Sequence, residues 1–440
     1  MSKVKVRFAP SPTGYMHIGN TRTALFNWLW AKKLGGEFML RIDDTDKVRS
    51  KKEYEDVIRD NLVWLGLTWS EEARQSARFE RYNQVTEELK KKGRIYACYE
   101  TPEELEFKRK RLMAKGLPPI YDRQALSYTA EDIARFEAEG RKPHYRFKLI
   151  DGEIKWQDMV RGEVKYEASN LSDPIIIRED GSFLYHLPSV IDDFDFGITH
   201  IVRGEDHVTN TASQVQMFEA LGGNCPTFAH LPLLTGKEGK LSKRLGSLGV
   251  SDLRADGVEA MSISSFLAKL GTSEAIEPFY DLASLAQTLD FSKIGRAQPK
   301  FDEEELKHFN TRLVHGLPYD KIKSRVPVSE EFWDVVRANL TKVDDVHVWQ
   351  QICNQNVKPI LEDRELTSLA ASLLPEGEWN DSTFGVWMNL VKEKSGKKGK
   401  DLFHPLRKAL TALDDGPELK LLLPLIGREK ALKRLNGIEA

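Results

Sequence analysis

Two stretches of this chain alternate strand-like and helical segments, and this alternation constrains the fold more than any other feature. In the first stretch, residues 4–9 alternate apolar and polar side chains, prolines and a glycine interrupt residues 10–14, and residues 18–34 carry apolar side chains at helical spacing. A strand-like segment over residues 37–42 and a second helical pattern over residues 54–65 follow. Strand, helix, strand and helix in this order predict a doubly wound α/β domain with a parallel sheet.

The alternation stops near residue 79 and resumes after residue 170. Residues 79–170 contain charged helical segments, a Gly-Leu-Pro-Pro turn and a short strand over residues 145–150. We interpret them as an inserted domain of mixed structure. In the second α/β stretch the predicted strands are residues 174–178, 183–186, 199–203 and 228–234, and the predicted helix spans residues 209–221.

Beyond residue 302 the strand patterns almost vanish. Leu402, Leu406, Ala409, Leu410 and Leu413 follow one face of a helix, so roughly the last 130 residues predict an all-α domain. The predicted fold class is therefore α/β: a split Rossmann-like domain with a mixed insertion, followed by an all-α C-terminal domain. At about 150 residues per domain, a chain of 440 residues has the length for roughly three domains.

No segment of the sequence has the length and apolar character of a membrane span. The longest uncharged apolar run near the start, residues 24–31, ends at two lysines, well short of the ~20 residues that a spanning helix needs. The first 25 residues also lack the apolar block and cleavage site of a signal peptide. We therefore expect a cytoplasmic protein. Cys98, Cys225 and Cys353 lie far apart, which excludes a disulfide framework and a paired-cysteine metal signature.

The net charge of −2, from 65 basic and 67 acidic residues, neither favours nor excludes a nucleic-acid partner. Charge is gathered locally instead. Residues 1–50 contain nine Lys or Arg against four Asp or Glu, and residues 392–400 contain five lysines and one glutamate. Each patch is either a solvated charged face or a phosphate-binding surface.

The first candidate for chemistry is the loop between the first predicted strand and the first predicted helix, which ends in His17-Ile18-Gly19-Asn20. Open α/β sheets bind nucleotides at such loops. The free backbone N–H groups and the positive dipole end of the helix favour a phosphate there, and Gly19 lets an adenosine approach the backbone. A loop histidine is also commonly structural, so this pattern by itself leaves both interpretations open.

The second candidate is Lys240-Leu241-Ser242-Lys243-Arg244, which follows Gly236 and Gly239. Three cations within five residues form either a solvated turn or a loop that closes over a triphosphate as pyrophosphate leaves. The two candidates lie in opposite halves of the split domain, and their joint presence favours nucleotide chemistry.

These two motifs resemble the signatures of the class I aminoacyl-tRNA synthetases, which are usually spelled His-Ile-Gly-His and Lys-Met-Ser-Lys-Ser. Over essentially the whole chain the sequence is similar to the bacterial glutamyl-tRNA synthetases. The segments that carry this resemblance are Arg7-Phe8-Ala9-Pro10-Ser11-Pro12-Thr13-Gly14, Arg41-Ile42-Asp43-Asp44-Thr45-Asp46, Tyr185-His186-Leu187-Pro188-Ser189, Val202-Arg203-Gly204-Glu205-Asp206-His207 and Leu402-Phe403-His404-Pro405-Leu406-Arg407. The resemblance implies that glutamate and ATP, bound with Mg²⁺, form glutamyl adenylate, and that the terminal ribose of tRNA then accepts the glutamyl group.

The resemblance also implies the roles of individual residues. His17 and Lys243 are the expected catalytic residues, because attack on a phosphate requires alignment and positive charge where negative charge develops. The expected ATP-binding residues are His17, Gly19, Asn20, Asp206, His207, Lys240, Ser242 and Lys243. An arginine fork pairs two-to-two with a carboxylate, and Asp43 is expected to receive the substrate ammonium. The expected glutamate-binding residues are Arg7, Ala9, Ser11, Asp43, Tyr185, Ser189 and Arg203.

The chain departs from the usual pattern of the family at three places. Asp43 is one methylene shorter than the usual glutamate, and Ser189 stands where an asparagine is often found. Many relatives also hold zinc in the insertion with spaced cysteines and a histidine. Here Cys98 is the only cysteine of that segment, and residues 121–125 offer neither a thiol nor an imidazole. We therefore predict no zinc and no other protein-held metal.

The predicted domains follow from the pattern and the resemblance together. They are residues 1–78 and 171–240 for the catalytic domain, 79–170 for the insertion that binds the acceptor end of tRNA, 241–308 for the signature loop and stem contact, and 309–440 for an all-helical anticodon-binding domain. The expected partners are tRNA, glutamate and ATP. Nothing in the sequence requires more than a monomer.

Other functions compete with this interpretation. A shortened relative attaches glutamate to a modified base of tRNA for aspartate, but it lacks an anticodon-binding domain. A glutaminyl enzyme would bind a neutral amide, which does not call for two arginines. A non-catalytic RNA-binding paralogue would have no physical reason to keep His17, Gly19 and Lys243 together. Relatives charge tRNA for glutamate, tRNA for glutamine or both, and these alternatives stay open at this point.

Overall fold

The computed structural model describes residues 3–236, 248–377 and 379–440. The chain divides into two compact units, which are Met1–Ala255 with Ile263–Asp302 and Asp256–Ser262 with Glu303–Ala440. Within the described residues, strands occur in the first unit and the second is helical. In this part of the chain no helix combines the length and the apolar character needed to cross a membrane.

Of the ten strands described in the first unit, six lie close to predicted segments, whereas those at residues 71–74, 95–98, 153–158 and 162–167 match none of the segments that the sequence analysis named. The strands are β1 (Lys5–Phe8), β2 (Glu37–Ile42), β3 (Glu71–Arg74), β4 (Ile95–Cys98), β5 (His144–Phe147), β6 (Glu153–Asp158), β7 (Gly162–Glu167), β8 (Ile175–Ile177), β9 (His200–Gly204) and β10 (Thr227–Leu231). The helices of residues 3–302 are α1 (Ile18–Lys33), α2 (Lys52–Trp64), α3 (Phe79–Lys91), α4 (Pro102–Ala114), α5 (Ala130–Ala138), α6 (His186–Asp195), α7 (Val208–Leu221), α8 (Val250–Ala255), α9 (Ala260–Lys269) and α10 (Leu282–Gln287).

Two groups of parallel strands form the nucleotide-binding type of sheet. β1, β2 and β3 are parallel neighbours, and β9 and β10 form a second parallel pair. The backbone N–H of Thr199, just before β9, donates to the carbonyl of Lys5 in β1 at 2.9 Å. β9 therefore begins beside β1, and the carboxyl ends of both groups face the same edge. This is the edge at which open α/β sheets bind ligands.

The segment predicted to be an insertion contributes to two sheets. β4 and β5 form an antiparallel sheet with β8, whereas the hairpin of β6 and β7 extends the parallel pair because β6 lies beside β10. The register places Phe228 of β10 opposite Asp158, the last residue of β6. The insertion thus supplies a strand to the sheet that carries the second α/β stretch.

The elements around β1 and β2 are covered on both faces. Phe38, Met39, Leu40 and Ile42 of β2 are all buried, as expected for a parallel strand with helices on either side. Helix α1 is likewise buried over more than one face, which agrees with the wide apolar stripe of residues 18–34.

The predicted strand over residues 183–186 is wrong. Phe183 makes a single bridge with Ile177, and helix α6 begins at His186. Pro188 is compatible with a helix here because it lies in the first turn, where its missing N–H has no intrahelical acceptor. Leu187, Val190 and Ile191 are then buried on one face, a helical spacing that the strand interpretation overlooked.

The second unit is built from helices, as predicted. They are α11 (Glu303–Gly316), α12 (Glu330–Val336), α13 (Val346–Asn354), α14 (Arg364–Ser372), α15 (Asp381–Ser395), α16 (Lys400–Thr411), α17 (Leu419–Ile426) and α18 (Arg428–Leu435). Leu402, Leu406, Ala409 and Leu410 are buried on one face of α16. The helix ends at Thr411, so Leu413 lies beyond the face to which the sequence assigned it.

Arg434 links three helices of the second unit through hydrogen bonds. Its side chain is fully buried and donates to the carbonyls of Ala440 (2.6 Å), Leu410 (2.8 Å), Ile352 (2.8 Å) and Gln355 (3.1 Å). Burial lowers the pKa of Arg434. A buried cation persists where hydrogen bonds satisfy it, so this guanidinium links α18 to α16 and α13.

We predict that Arg434→Met lowers the free energy of unfolding by about 3 kcal/mol, since it removes the buried donor from the carbonyls of Leu410 and Ile352 and breaks two further bonds, to Gln355 and Ala440. Urea unfolding followed by far-ultraviolet circular dichroism measures this change. Lys433→Met is the matched control, because Lys433 is exposed and pairs with the exposed Glu429, a contact worth less than about 1 kcal/mol. Equal effects of the two substitutions would contradict the role of Arg434.

Candidate active site

A cleft of about 440 Å³ opens at the carboxyl ends of β1, β2, β9 and β10 and at the start of α1. It contains every residue of the predicted ATP and glutamate sites that the structure describes. These are Arg7, Ala9, Ser11, His17, Gly19, Asn20, Asp43, Tyr185, Ser189, Arg203, Asp206 and His207. Lys240, Ser242 and Lys243 lie outside the described residues.

His17 caps α1, and the cap fixes the state of its ring. Its Nδ1 accepts the backbone N–H groups of Gly19 at 3.2 Å and Asn20 at 3.3 Å, so the hydrogen of the neutral ring is on Nε2. Burial lowers the pKa of His17, which favours that neutral form. A Cβ on residue 19 would lie 3.1 Å from the ring, so the glycine makes room for this cap. His17 therefore retains one neutral N–H donor.

The backbone N–H groups at the start of α1 are not free, contrary to the expectation from the sequence. Ile18 donates to the carbonyl of Leu248 at 3.3 Å, and Thr21 donates to the carbonyl of His17 at 3.0 Å. Gly19 and Asn20 already donate to the imidazole. The helix start can therefore attract an anion through its dipole and through Nε2 of His17, but not through unpaired backbone groups.

Arg203 is a buried arginine whose hydrogen-bond partners are all neutral. It is 5 % exposed. Nη1 donates to the hydroxyl of Tyr185 at 2.8 Å, and Nη2 donates to Thr211 Oγ1 and Gln214 Oε1, both at 2.6 Å. Nε donates to Nε2 of His230 at 3.3 Å. Because no carboxylate is bonded to it among the described residues, the guanidinium keeps its charge for a ligand, and burial lowers the pKa of Arg203.

One hydrogen on Nη1 of Arg203 has no acceptor among the residues the structure describes, since four of the five N–H donors of an arginine are used. The two-to-two fork that the sequence predicts is thus not available to Arg203. The hydroxyl of Tyr185, which accepts from Nη1, still has its own hydrogen to donate. A carboxylate in the cleft would meet these two donors side by side.

Arg7, unlike Arg203, is paired with an acid. Its Nε donates to Oδ1 of Asp193 at 3.0 Å, and its Nη2 lies 3.4 Å from Oδ2. Both residues are buried. Burial raises the pKa of Asp193, but Arg7 and Arg41 outweigh that effect and lower it overall, so Asp193 is ionised. Nη1 of Arg7 is the part of the guanidinium left for a ligand.

Asp43 is held by Arg41, a residue that sequence reasoning missed. Nε and Nη2 of Arg41 donate to the two carboxylate oxygens of Asp43 at 2.6 and 3.0 Å. Nη1 of Arg41 also donates to Asp193 at 2.7 Å, and Nη2 donates to the hydroxyl of Ser189 at 3.1 Å. The spacing of two residues could have revealed this pair, because Asp43 directly follows β2 and residues two apart in extended backbone point to the same face.

Burial and pairing act in opposite directions on Asp43. Burial raises its pKa, Arg41 lowers it, and burial prevails, so the pKa of Asp43 is about 6. The carboxyl group is thus ionised at neutral pH but becomes protonated in mild acid.

The sequence analysis also did not identify Asp192 and Asp193 as residues of the site. Both lie on α6, which the strand prediction over residues 183–186 obscured. Asp192 is fully buried and accepts from Tyr82 at 2.8 Å, Arg78 at 2.7 Å and Gln75 at 3.0 Å. It anchors α6, and through α6 it positions Ser189 and Tyr185.

His207 and Asp206 lie at the end of β9, across the cleft from His17. The ring of His207 lies 5.4 Å from that of Tyr185. Burial and the nearby Arg203 lower the pKa of His207 to about 4, so it is neutral at physiological pH. Asp206 is more exposed than its neighbours in the cleft.

Cys98 and Cys353 are buried and Cys225 is exposed. Cys98 contacts the hydroxyl of Tyr121 at 3.7 Å. Among the described residues, no group of three or more His, Cys, Asp or Glu side chains is arranged to hold a metal ion.

A split parallel sheet with a nucleotide-type cleft, followed by a helical unit, is typical of the class I tRNA synthetases. Residues 3–308 match the family described as "tRNA synthetases class I (E and Q), catalytic domain", and residues 276–438 match "Anticodon binding domain". The chain therefore belongs to the class I tRNA synthetases of the E and Q group.

Relatives of known name span the full chain. It is 53 % identical to "Glutamate--tRNA ligase 1" of Maricaulis maris, over 98 % of this chain and 99 % of that protein. It is also 53 % identical to "Glutamate--tRNA ligase" of Azospirillum brasilense, over 99 % of each. A solved glutamate tRNA ligase from Elizabethkingia meningosepticum, in complex with its amino acid, superposes with a TM-score of 0.83 at 28 % identity and 99 % coverage of both chains.

We predict that Asp43 titrates with a pKa near 6 in the free protein, as measured by carboxyl ¹³C shifts of protein labelled at aspartate and assigned with Asp43→Asn. Because the folded state then holds this proton more tightly than the unfolded chain, Asp43 by itself makes the free energy of unfolding fall as the pH rises from about 4 to about 6. Asp46 is the control: hydrogen bonds from Arg49 lower its pKa. An Asp43 that titrates at or below its ordinary value would contradict the burial argument.

Proposed function

We propose that this chain is a glutamate–tRNA ligase that joins glutamate to tRNA through a glutamyl adenylate, at the expense of ATP. The observation that carries the proposal is Arg203, a buried guanidinium in the cleft with neutral partners only. An anionic ligand neutralises the charge of such a buried cation, whereas a neutral amide supplies a hydrogen bond but leaves the charge uncompensated. The printed names of the relatives, which are ligases for glutamate, support the same substrate.

The glutamate side chain would lie between the two arginines. Nη1 of Arg203, Nη1 of Arg7 and the hydroxyl of Tyr185 supply donors for its carboxylate, while Asp43 accepts the substrate ammonium. Ala9, Ser11 and Ser189 line the same cleft and complete the proposed glutamate site. Arg41 gives rigidity to Asp43 and Ser189 together, which compensates for the short side chain of Asp43.

ATP would lie at the start of α1. His17 donates its Nε2 hydrogen to a phosphate as a neutral group, so the positive charge that stabilises the departing pyrophosphate must come from elsewhere. We assign it to Lys243, with Lys240 and Ser242 closing the loop, and to the Mg²⁺ that accompanies ATP as substrate. Gly19 and Asn20 contact the adenosine side, and Asp206 and His207 lie opposite. Leu248, five residues beyond Lys243, bonds to Ile18, which supports a shared site for His17 and Lys243.

The reaction needs little covalent help from the protein. The α-carboxylate of glutamate attacks the α-phosphate of ATP, the bond to pyrophosphate breaks, and the adenylate forms. The terminal ribose hydroxyl of tRNA then attacks the activated carbonyl, and AMP leaves. The chain contributes alignment and electrostatic stabilisation.

The remaining assignments belong to this proposal. The catalytic domain would comprise residues 1–78 and 171–240, with residues 79–170 binding the acceptor end, 241–308 the stem and 309–440 the anticodon. The presence of helices α11–α18 disfavours the shortened relative that modifies a tRNA base. We propose a cytoplasmic monomer without zinc, and the charging of purified tRNA for glutamate and tRNA for glutamine with labelled glutamate determines which tRNA it uses.

We predict that Arg203→Ala raises the KM for glutamate by on the order of 30-fold or more, because a buried charge-assisted contact is worth 2 kcal/mol or more. The KM for ATP should change by about twofold at most. ATP–pyrophosphate exchange with each substrate varied in turn measures both. Arg59→Ala is the control, because it removes a half-buried arginine that pairs with Glu55, Asp56 and Glu72 and does not line the cleft. Parallel increases in both KM values would point to a structural role instead.

We predict that Lys243→Ala slows adenylate formation by a factor of about 100 or more while tRNA binding is retained, because its charge acts mainly in the transition state. Single-turnover kinetics and filter binding of tRNA measure the two properties. An unchanged single-turnover rate would remove Lys243 from the mechanism.

A further inference from the structure

The buried positive charge of Arg203 requires a compensating negative charge nearby. Its guanidinium is buried and its partners in the described residues are neutral, yet an uncompensated buried charge costs several kcal/mol. One of these partners, His230, is itself bonded to an acid. Its Nδ1 lies 2.5 Å from Oδ2 of Asp158. The carboxylate of Asp158 is therefore one imidazole ring away from Arg203.

Asp158 and His230 are firmly placed by the sheet. Asp158 ends β6, and His230 is on the neighbouring strand β10. Oδ1 of Asp158 accepts the backbone N–H groups of Val160 and Arg161, both at 3.0 Å, and lies 3.3 Å from that of His230. These bonds help lower the pKa of Asp158, against the effect of burial. The carboxylate is thus ionised, and its second oxygen is free to bind the imidazole.

The two contacts of the ring determine its tautomer. An ionised carboxylate accepts only, so Nδ1 of His230 must carry the hydrogen. Nε2 is then an acceptor, and it faces the Nε hydrogen of Arg203 at 3.3 Å. The hydroxyl of Thr211 lies 2.8 Å from Nε2 and 3.0 Å from the carbonyl of His207, and these two acceptors compete for its one hydrogen. Burial lowers the pKa of His230 despite Asp158, which keeps the ring neutral.

We infer that Asp158 and His230 are positioning residues for glutamate recognition: Asp158 selects the Nδ1–H tautomer of His230, and Nε2 of His230 then fixes the guanidinium of Arg203 in the cleft. The inference rests on the proposed function, in which Arg203 binds the side-chain carboxylate of glutamate.

This arrangement serves selectivity because the acid does not touch the arginine. A carboxylate bonded directly to Arg203 would neutralise it and occupy the donors that the substrate needs, as Asp193 does on one side of Arg7. The neutral ring between Asp158 and Arg203 orients the guanidinium but leaves its charge to be satisfied by the substrate. An anionic side chain is then favoured over a neutral amide.

Asp158→Asn changes the tautomer of His230 while keeping a side chain of nearly the same volume, so it tests the positioning role separately from packing. The Asn carbonyl can still accept the backbone N–H groups, but its amide donates to Nδ1 and forces the hydrogen onto Nε2, where it meets the Nε hydrogen of Arg203. Exchange of an acid for an amide next to a histidine is known to impose the wrong tautomer in this way. Asp173→Asn is the matched control, since Asp173 is an equally buried aspartate that bonds to Tyr96 and Arg123.

A second pair of variants tests the acceptor. His230→Gln places a carbonyl oxygen near the position of Nε2, whereas His230→Ala removes the acceptor altogether. We expect ATP–pyrophosphate exchange to show at least a tenfold increase in the KM for glutamate in D158N and H230A, with the KM for ATP within about twofold of wild type. H230Q should retain a KM for glutamate within about threefold, and D173N should leave the ratio of the two KM values unchanged.

The inference is overturned if D158N leaves the KM for glutamate unchanged, if the two KM values rise together, or if H230Q is as impaired as H230A. Long-range ¹H–¹⁵N spectra of the histidine-labelled protein test the tautomer without any activity. The wild type should show the hydrogen of His230 on Nδ1, and D158N should show it on Nε2; the opposite result also overturns the inference. A wild-type protein with this tautomer but no glutamate-dependent exchange would instead refute the proposed function alone.

Discussion

Three buried guanidinium groups at one edge of a parallel sheet are the constraint on which the cleft depends. Arg7, Arg41 and Arg203 are each at most 5 % exposed, and each would be strongly destabilising without compensation. The fold compensates them to different degrees. Arg41 forms ion pairs with three acids, Asp43, Asp192 and Asp193, and Arg7 forms one with Asp193. Arg203 has no directly bonded acid among the described residues: Asp193 acts on it at a distance, and Asp158 acts through His230. Arg22 of α1 is also buried and lines the cleft, and it donates only to the carbonyls of Pro232 and Leu270. Among the described residues, Arg22 and Arg203 are thus the cleft arginines without a directly bonded acid.

The acids that compensate these arginines come from different parts of the chain. Asp43 follows β2, Asp193 is on α6 and Asp158 ends β6. Each lies at an edge or a helix that packs on the carboxyl ends of the strands, so no single local motif contains the charge balance. Removing one acid weakens the compensation of a buried arginine, whereas removing an arginine takes hydrogen-bond donors from a buried acid. The cleft and the local fold are thus stabilised by the same pairs.

The sequence predicts the strand and helix order well, and it predicts that Arg7, Asp43 and Arg203 lie together, because carboxyl ends of parallel strands share an edge. It fails where the outcome depends on distant or competing contacts. The sequence predicts a strand over residues 183–186, but a helix begins at His186 and buries Leu187, Val190 and Ile191. The backbone N–H groups of α1 read as free, although the imidazole of His17 caps them. The partnership of Asp158 with His230 leaves no local pattern, since 72 residues separate the two.

The position of Asp158 changes how the insertion should be understood. By sequence, residues 79–170 form an added domain whose proposed task is to bind RNA. In the structure, the last part of that segment, β6 with β7, belongs to the sheet of β9 and β10. Asp158, the final residue of β6, bonds to His230, which in turn accepts from Arg203. Strand β6 therefore connects the inserted segment to the amino-acid pocket through a strand pairing, an imidazole and a guanidinium.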